Sequence, residues 1–264
     1  MIAYDIEVQA LIRDVAARIV MPRFRQLDAS QIIEKAPDEL VTIADRESEE
    51  ALSEGLTRML AGSRVVGEEA CSADASVLDN IGQGTVWIVD PIDGTANFAA
   101  GETPFGIMIA LAVDGVSEAA WLYDPVQDRM CSAGRGQGAF VNGERTQART
   151  SGEEMPVAGL STKYLPPDLR VEIEARAEGK LRCVGIPRCA AEQYPRVMLG
   201  TNDLALFWRT FVWDHAPGVL ILEEAGGKCA RFDGTRYGIA RTGTGMLAAA
   251  SPAMWDKAAA ILLG

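Results

Sequence analysis

"TVWIVDPIDGTANF", residues 85–98, decides the fold. Its apolar run from Val86 to Val89 reads as a buried strand, and the strand ends in Asp90-Pro91-Ile92-Asp93-Gly94, a turn composition. Two carboxylates therefore leave one strand end together. Mg²⁺ takes oxygen ligands at about 2.0–2.1 Å in near-octahedral geometry, and this turn offers Asp90, Asp93 and the Ile92 carbonyl. A solvated turn built from the same residue types is the alternative on this segment alone. Gly94 and Thr95 then precede "ANF" at a helix start, where free N–H groups and the helix dipole favour a phosphate. Cations beside an anion pocket are what phosphoryl transfer to water requires.

Upstream, Val8, Leu11, Val15 and Ile19 stand at helical spacing over residues 5–20, and Pro22 is expected to end that helix. A linker is expected at 28–39. The stretch 41–62 again has helical spacing through Leu52, Leu56 and Met59, with Gly62 closing it and Asp45 and Glu49 four apart on one face. "SRVVG" (63–67) then reads as a strand leading into Glu68 and Glu69, which are either a further oxygen ligand or two exposed acids. Downstream, "FGIMIALAV" (105–113), "VSEAAWLY" (116–123) and "GAFVN" (138–142) read as strands. The second half alternates: a strand in "PVAGLS" (156–161), a charged helix near 168–178, a strand "DLALFW" (203–208), a helix from Asp214, and strands "KCARF" (228–232) and "MLAAAS" (246–251). Asp214 sits at the expected N-cap, so capping and metal ligation are both open for it. The glycines of "GRGQG" (134–138) and "GTG" (243–245) read as hairpin and turn residues. This grammar predicts one α/β unit over 1–264, with halves meeting near 145.

Composition narrows the function classes. Of 264 residues 48% are hydrophobic and 23% charged, so neither disorder nor a fibre is indicated. The net charge of −12 argues against a broad nucleic-acid face, which needs clustered Lys and Arg. No apolar run reaches the roughly 18–20 residues of a membrane span, and the N-terminus carries acids where a signal peptide is basic, so a cytoplasmic protein is expected. Cys71, Cys131, Cys183, Cys189 and Cys229 are an odd number, spread out and without a CxxC pair, which argues against a zinc ribbon and a disulfide framework. A single histidine, His215, excludes a multi-histidine zinc site.

Taken together, "VTIAD" (41–45), "GEE" (67–69), "DPIDGTANF" (90–98) and "WDHAPG…EEAGG" (213–227) resemble the inositol monophosphatase family in kind and in order, over nearly the whole chain. That resemblance implies a five-layered α/β/α/β/α sandwich, a homodimer, and hydrolysis of a small phosphate monoester with Mg²⁺, often inhibited by Li⁺. It implies that Glu68, Asp90 and the Ile92 carbonyl hold one cation and Asp90, Asp93 and Asp214 another. Asp45 and Thr95 would orient the attacking water, assisted by Glu68, while Asp93, Gly94, Thr95 and Asp214 would contact the substrate. Two cations about 3.5–4 Å apart can activate water and neutralise the leaving alkoxide without a histidine.

The resemblance thins on the substrate side. Inositol-specific members carry a hydroxyl-binding glutamate seven residues before the "WD" aspartate, where this chain has Phe207. Phe207 and Arg209, two apart on an expected strand, would share a face, with Arg209 as a cation for a second anionic group or simply a residue of the sheet. Arg188, Glu192 and Gln193 are further candidate contacts. Three readings share the metal core: inositol monophosphatase, a bisphosphate or nucleotide-type phosphatase, and a histidinol-phosphatase. A regulatory or RNA-processing partner is the reading from another class.

Overall fold

The computed structural model describes residues 2–36, 39–241 and 243–264. Helix α1 (Asp5–Val15) continues through a π-type turn, Ala16–Val20, into the short α2 (Met21–Arg23). Pro22 does not stop it at once: the helix runs one residue further, to Arg23, before Phe24 leaves the helical region. The expected linker at 28–39 is structured instead. It holds a 3₁₀ turn (Ala29–Gln31) and strand β1 (Ile32–Ala36), antiparallel to β2 (Glu39–Thr42), while its Pro37 and Asp38 lie outside the described residues. Strands this short show no period of their own; pairing Ile33 with Val41 defines them.

Thr42 starts α3 (Ile43–Met59) through a capping box: its hydroxyl accepts the Ala44 N–H, and Asp45 reaches back to accept the Thr42 N–H. Then come β3 (Arg64–Gly67), α4 (Glu68–Ala73), β4 (Thr85–Asp93) and α5 (Thr95–Ala99). A meander follows: β5 (Gly106–Val113), β6 (Val116–Asp124), β7 (Arg129–Gly134), β8 (Gly138–Val141) and β9 (Glu144–Thr146). These seven strands form one sheet in the order β3-β4-β5-β6-β7-β8-β9, parallel only between β3 and β4. The "GRGQG" glycines make the β7–β8 hairpin, whose Gly136 and Gly138 N–H groups donate to the Glu224 carboxylate at 2.8 Å each.

The remaining elements are β10 (Val157–Leu160), α6 (Pro167–Ala177), β11 (Arg182–Val184), α7 (Ala190–Met198), β12 (Leu204–Phe207), α8 (Val212–Glu224), β13 (Lys228–Arg231), β14 (Met246–Ala249) and α9 (Pro252–Leu262). Their five strands form a second sheet, β11-β10-β12-β14-β13. Side-chain alternation then stacks the layers. On the first sheet Trp87, Val89 and Ile107 face Val8, Ile12 and Leu52 of α1 and α3. Met108 and Leu122 on its other face pack with Val197 and Leu220 of α7 and α8, which also receive Ala205 and Ala248 of the second sheet. Leu204, Leu206 and Leu247 point the other way, against Ile173 and Trp255 of α6 and α9. The result is an α/β/α/β/α sandwich. Among the described residues no helix is long and apolar enough to cross a membrane.

The middle helical layer is tight because Gly218 of α8 lies against the Tyr194 ring of α7; a Cβ built there would fall inside van der Waals contact. Overfilling a packed core costs typically about 1–3 kcal/mol. Gly218→Ala is therefore expected to lower unfolding free energy by about 2 kcal/mol in urea titration. A loss under about 0.5 kcal/mol would show that α7 and α8 separate freely.

Candidate metal centre and active site

β4 enters the site through a bulge. Asp90 pairs with Met108 and Asp93 with Gly106, so three steps along β4 match two along β5. In a regular strand residues 90 and 93 would point to opposite faces; the extra residue lets both carboxylates turn to one side. Gly94 follows in the left-handed region (φ 85°) and starts α5. Asp90 Oδ1 accepts the Ile92 N–H at 3.1 Å, and the Ile92 carbonyl lies 2.9 Å from Thr95 Oγ1. Asp93 Oδ2 accepts the Ala191 N–H at 2.5 Å, so the start of α7 holds a carboxylate of the first sheet.

Asp214 is not an N-cap. Phe211 occupies that position without a side-chain cap bond, and Asp214 is the third residue of α8. Its carboxylate is thereby left to the cluster: one oxygen each of Asp90, Asp93 and Asp214 lie within 4.8 Å of one another. Glu68, the first residue of α4, lines the same cavity. Burial pushes Asp90 well above the usual carboxylate range, followed by repulsion from Glu68, Asp93 and Asp214. Asp214 is raised likewise, by burial and then by Asp93 and Glu68. Burial also lifts Asp93 to about 6, against the relief it draws from the Ala191 N–H. Buried like charges with all-oxygen donors fit a hard divalent cation.

Asp45 lies one layer away. Its Oδ2 accepts from both the backbone N–H (2.8 Å) and the hydroxyl (2.6 Å) of Thr42, leaving Oδ1 3.1 Å from Thr95 Oγ1. Burial raises it to about 6. His215 is the opposite case, a base driven down to about 3 by burial and hence neutral. Its Nε2 donates to the Arg209 carbonyl (3.0 Å), which leaves Nδ1 to accept from Tyr194 Oη (2.8 Å).

Glu68, Asp90, Asp93, Asp214 and His215 open onto a cavity of about 710 Å³, lined also by Gly94, Thr95, Phe207 and Arg209, while Asp45 is buried behind Thr95 and does not line it. Phe207 stacks on Tyr194 (5.4 Å) and meets His215 edge-on (4.8 Å). The strand carrying Phe207 ends there, so Arg209 reaches the same wall from the following loop and not by alternation. Its guanidinium lies between the rings of Tyr164 (4.4 Å) and Phe211 (4.7 Å). Arg188 and Gln193 also line the cavity; Glu192 does not, because it is engaged by Arg129 and Arg196. Sequence reading passed over Asn97, Tyr164 and Phe211. Asn97 donates to the Pro104 (2.7 Å) and Pro187 (2.9 Å) carbonyls and accepts from Arg188, tying two loops at the rim, and no local pattern announces that. The role of Thr42 was open to view in the "TIAD" capping box. All five cysteines are free, and only Cys183 is exposed.

A family model described as "Inositol monophosphatase family" matches residues 3–263. The inositol-1-monophosphatase of Bacillus subtilis is 28% identical over 86% of this chain and 84% of its own length. The histidinol-phosphatase of Chlorobaculum parvum is 29% identical over 87% and 86%. Among solved structures, an IMPase of Thermotoga maritima superposes with a TM-score of 0.83 at 25% identity, covering 100% of this chain and 97% of that one.

The raised acids give a signed pH dependence. A carboxyl whose folded pKa exceeds its unfolded 3.8 stabilises the fold fully below that value and loses the contribution as pH rises through the folded pKa. Asp45 and Asp93, each near 6, place their losses between about pH 4 and 6, and Asp90 adds to them. In chelator, Asp90→Asn is expected to melt above wild type, by a margin that widens from pH 4 to pH 7. Thermal melts in EDTA check this; a variant that melts lower at pH 7 would contradict it.

Proposed function

Since the chain belongs to the inositol monophosphatase family, and is thereby a phosphoric monoester hydrolase, we propose that it hydrolyses a small phosphate monoester with Mg²⁺ as its cofactor. Glu68, Asp90 and the Ile92 carbonyl would hold one cation, and Asp90, Asp93 and Asp214 the other. The observation that carries this reading is the packing of one oxygen each of Asp90, Asp93 and Asp214 within 4.8 Å, with Asp90 and Asp214 raised by burial and by repulsion from the neighbouring acids. Bound cations there supply an acidified water, a clamp on the phosphate oxygens and neutralisation of the leaving alkoxide.

The chain's own residues do the rest. Asp45, fixed by Thr42, and the Ile92 carbonyl both stand within reach of the one Thr95 hydroxyl proton, and with that proton engaged Thr95 Oγ1 would accept from the attacking water. Glu68, which lines the same cavity, would assist. Gly94 and Thr95, at the start of α5, meet the phosphate, and Asp93 and Asp214 border the leaving group. His215 takes no part in proton transfer, being neutral and engaged at both nitrogens.

For the leaving group, the wall of Phe207 and Arg209 favours one that carries a second anionic group over a polyol. An aromatic ring offers a polyol no hydroxyl partner, whereas a guanidinium gives a carboxylate or phosphate a charge-assisted contact. A homodimer in the cytoplasm, acting on a small molecule and not on nucleic acid, belongs to the same proposal.

Chelation is expected to abolish phosphate release and Mg²⁺ to restore it; full turnover in excess EDTA would refute the metal reading. Substrate choice is read from the ratio of kcat/KM for a bisphosphate and for inositol 1-phosphate. The ratio is expected to favour the bisphosphate and to fall about tenfold in Arg209→Ala, since a hydrogen bond to a charged group contributes about 1.5–3 kcal/mol. An unmoved ratio, or a tenfold preference for inositol phosphate, would remove Arg209 from substrate selection.

A further inference from the structure

α4 begins at Glu68, and it begins without a cap of its own. Its N-cap is Gly67, which has no side chain to offer the first free N–H groups of the helix. Those groups are met from outside by Glu49 of α3. Glu49 Oε2 accepts the Glu69 N–H at 2.7 Å and Oε1 accepts the Ala70 N–H at 2.8 Å, a two-point grip by a buried carboxylate on a helix start. A negative charge there also suits the helix dipole. Gly67 is what lets the carboxylate come so close: a Cβ built on it would fall inside contact distance of the whole Glu49 carboxyl group.

Glu49 lies one turn beyond Asp45 on the same buried face of α3. One rigid helix thus carries two carboxylates with parallel tasks. Asp45 fixes Thr95, and Glu49 fixes the backbone on the C-terminal side of Glu68. Leu52 and Leu56 anchor that helix in the core, so the position is inherited from packing.

We propose that Glu49 is a positioning residue for the metal centre: by clamping the start of α4 it holds Glu68 toward the cavity and so sets the affinity of the cation that Glu68 would bind. The inference rests on the metal reading of Glu68 above. Groups that orient a metal ligand from behind typically govern metal affinity by about 10–100-fold when altered.

The test is Mg²⁺ binding by isothermal titration calorimetry on the full chain, with KM for a phosphate ester measured beside it. Glu49→Gln loses the charge and one acceptor; Gly67→Ala pushes the carboxylate away without altering it. Each is expected to weaken one Mg²⁺ equivalent about tenfold or more, with KM at saturating Mg²⁺ changed less than about threefold. Leu52→Ala, a cavity in the same helix, controls for lost stability and is expected to leave Mg²⁺ affinity within about twofold. Wild-type affinity in Glu49→Gln while Glu68→Gln loses an equivalent would overturn the inference and leave the metal reading standing. An equal loss in Leu52→Ala would overturn it too, by reducing the effect to stability. If Glu68→Gln binds as wild type does, the metal reading of Glu68 fails and the inference with it.

Discussion

Mutual repulsion among Asp90, Asp93, Asp214 and Glu68 is the constraint around which the rest is arranged. Such a cluster disperses unless the backbone forbids it, because each carboxylate gains by moving into water. Every nearby element opposes that dispersal. A bulge turns two aspartates to one side, the start of α7 donates to Asp93, and α8 delivers Asp214 from the middle layer. Holding like charges together costs stability, and proteins tolerate such cost at functional sites when the surrounding structure over-determines the geometry. Here the bulge of β4 and helices α7 and α8 supply it.

The layered fold explains why the site lies where it does. Val86 and Ile88 of β4 pack with Val212 and Ala216 of α8, so the strand end and the helix start meet at one edge of the middle layer. The other wall comes from the second sheet, where β12 and its following loop present Phe207 and Arg209. The acid cluster and the Phe207–Arg209 wall therefore come from different parts of the fold, the one from β4, α4 and α8 and the other from β12 and the loop after it.

Much of this was legible from residues alone. The apolar run into "DPIDGT" is strong because strand period and turn chemistry agree there, and Glu68, Asp90, Asp93 and Asp214 all border one cavity. What escaped had physical reasons. The bulge that aligns Asp90 with Asp93 is a matter of register between strands. Asp214 resembled a cap because a helix does start nearby, but the start is two residues earlier and Phe211 occupies the cap position. Helix α7 was hidden by Pro195 in its interior, and β7 by small residues buried on both faces. Arg209 borders the cavity from the loop after β12 and not by alternation along the strand, which has already ended. The clamp of Glu49 on α4 spans about 20 residues and left no trace beyond its spacing from Asp45.

If the site is a set of acids that hold protons where cations would sit, binding Mg²⁺ must displace protons, because Asp45, Asp93, Asp90 and Asp214 are all raised in its absence. The direct measurement is Mg²⁺ calorimetry at pH 6 in buffers of different ionisation enthalpy. A net release of protons that shrinks as pH rises, and that falls in Asp90→Asn, is the result the account requires. Binding heat independent of the buffer, or no binding at all, would contradict it.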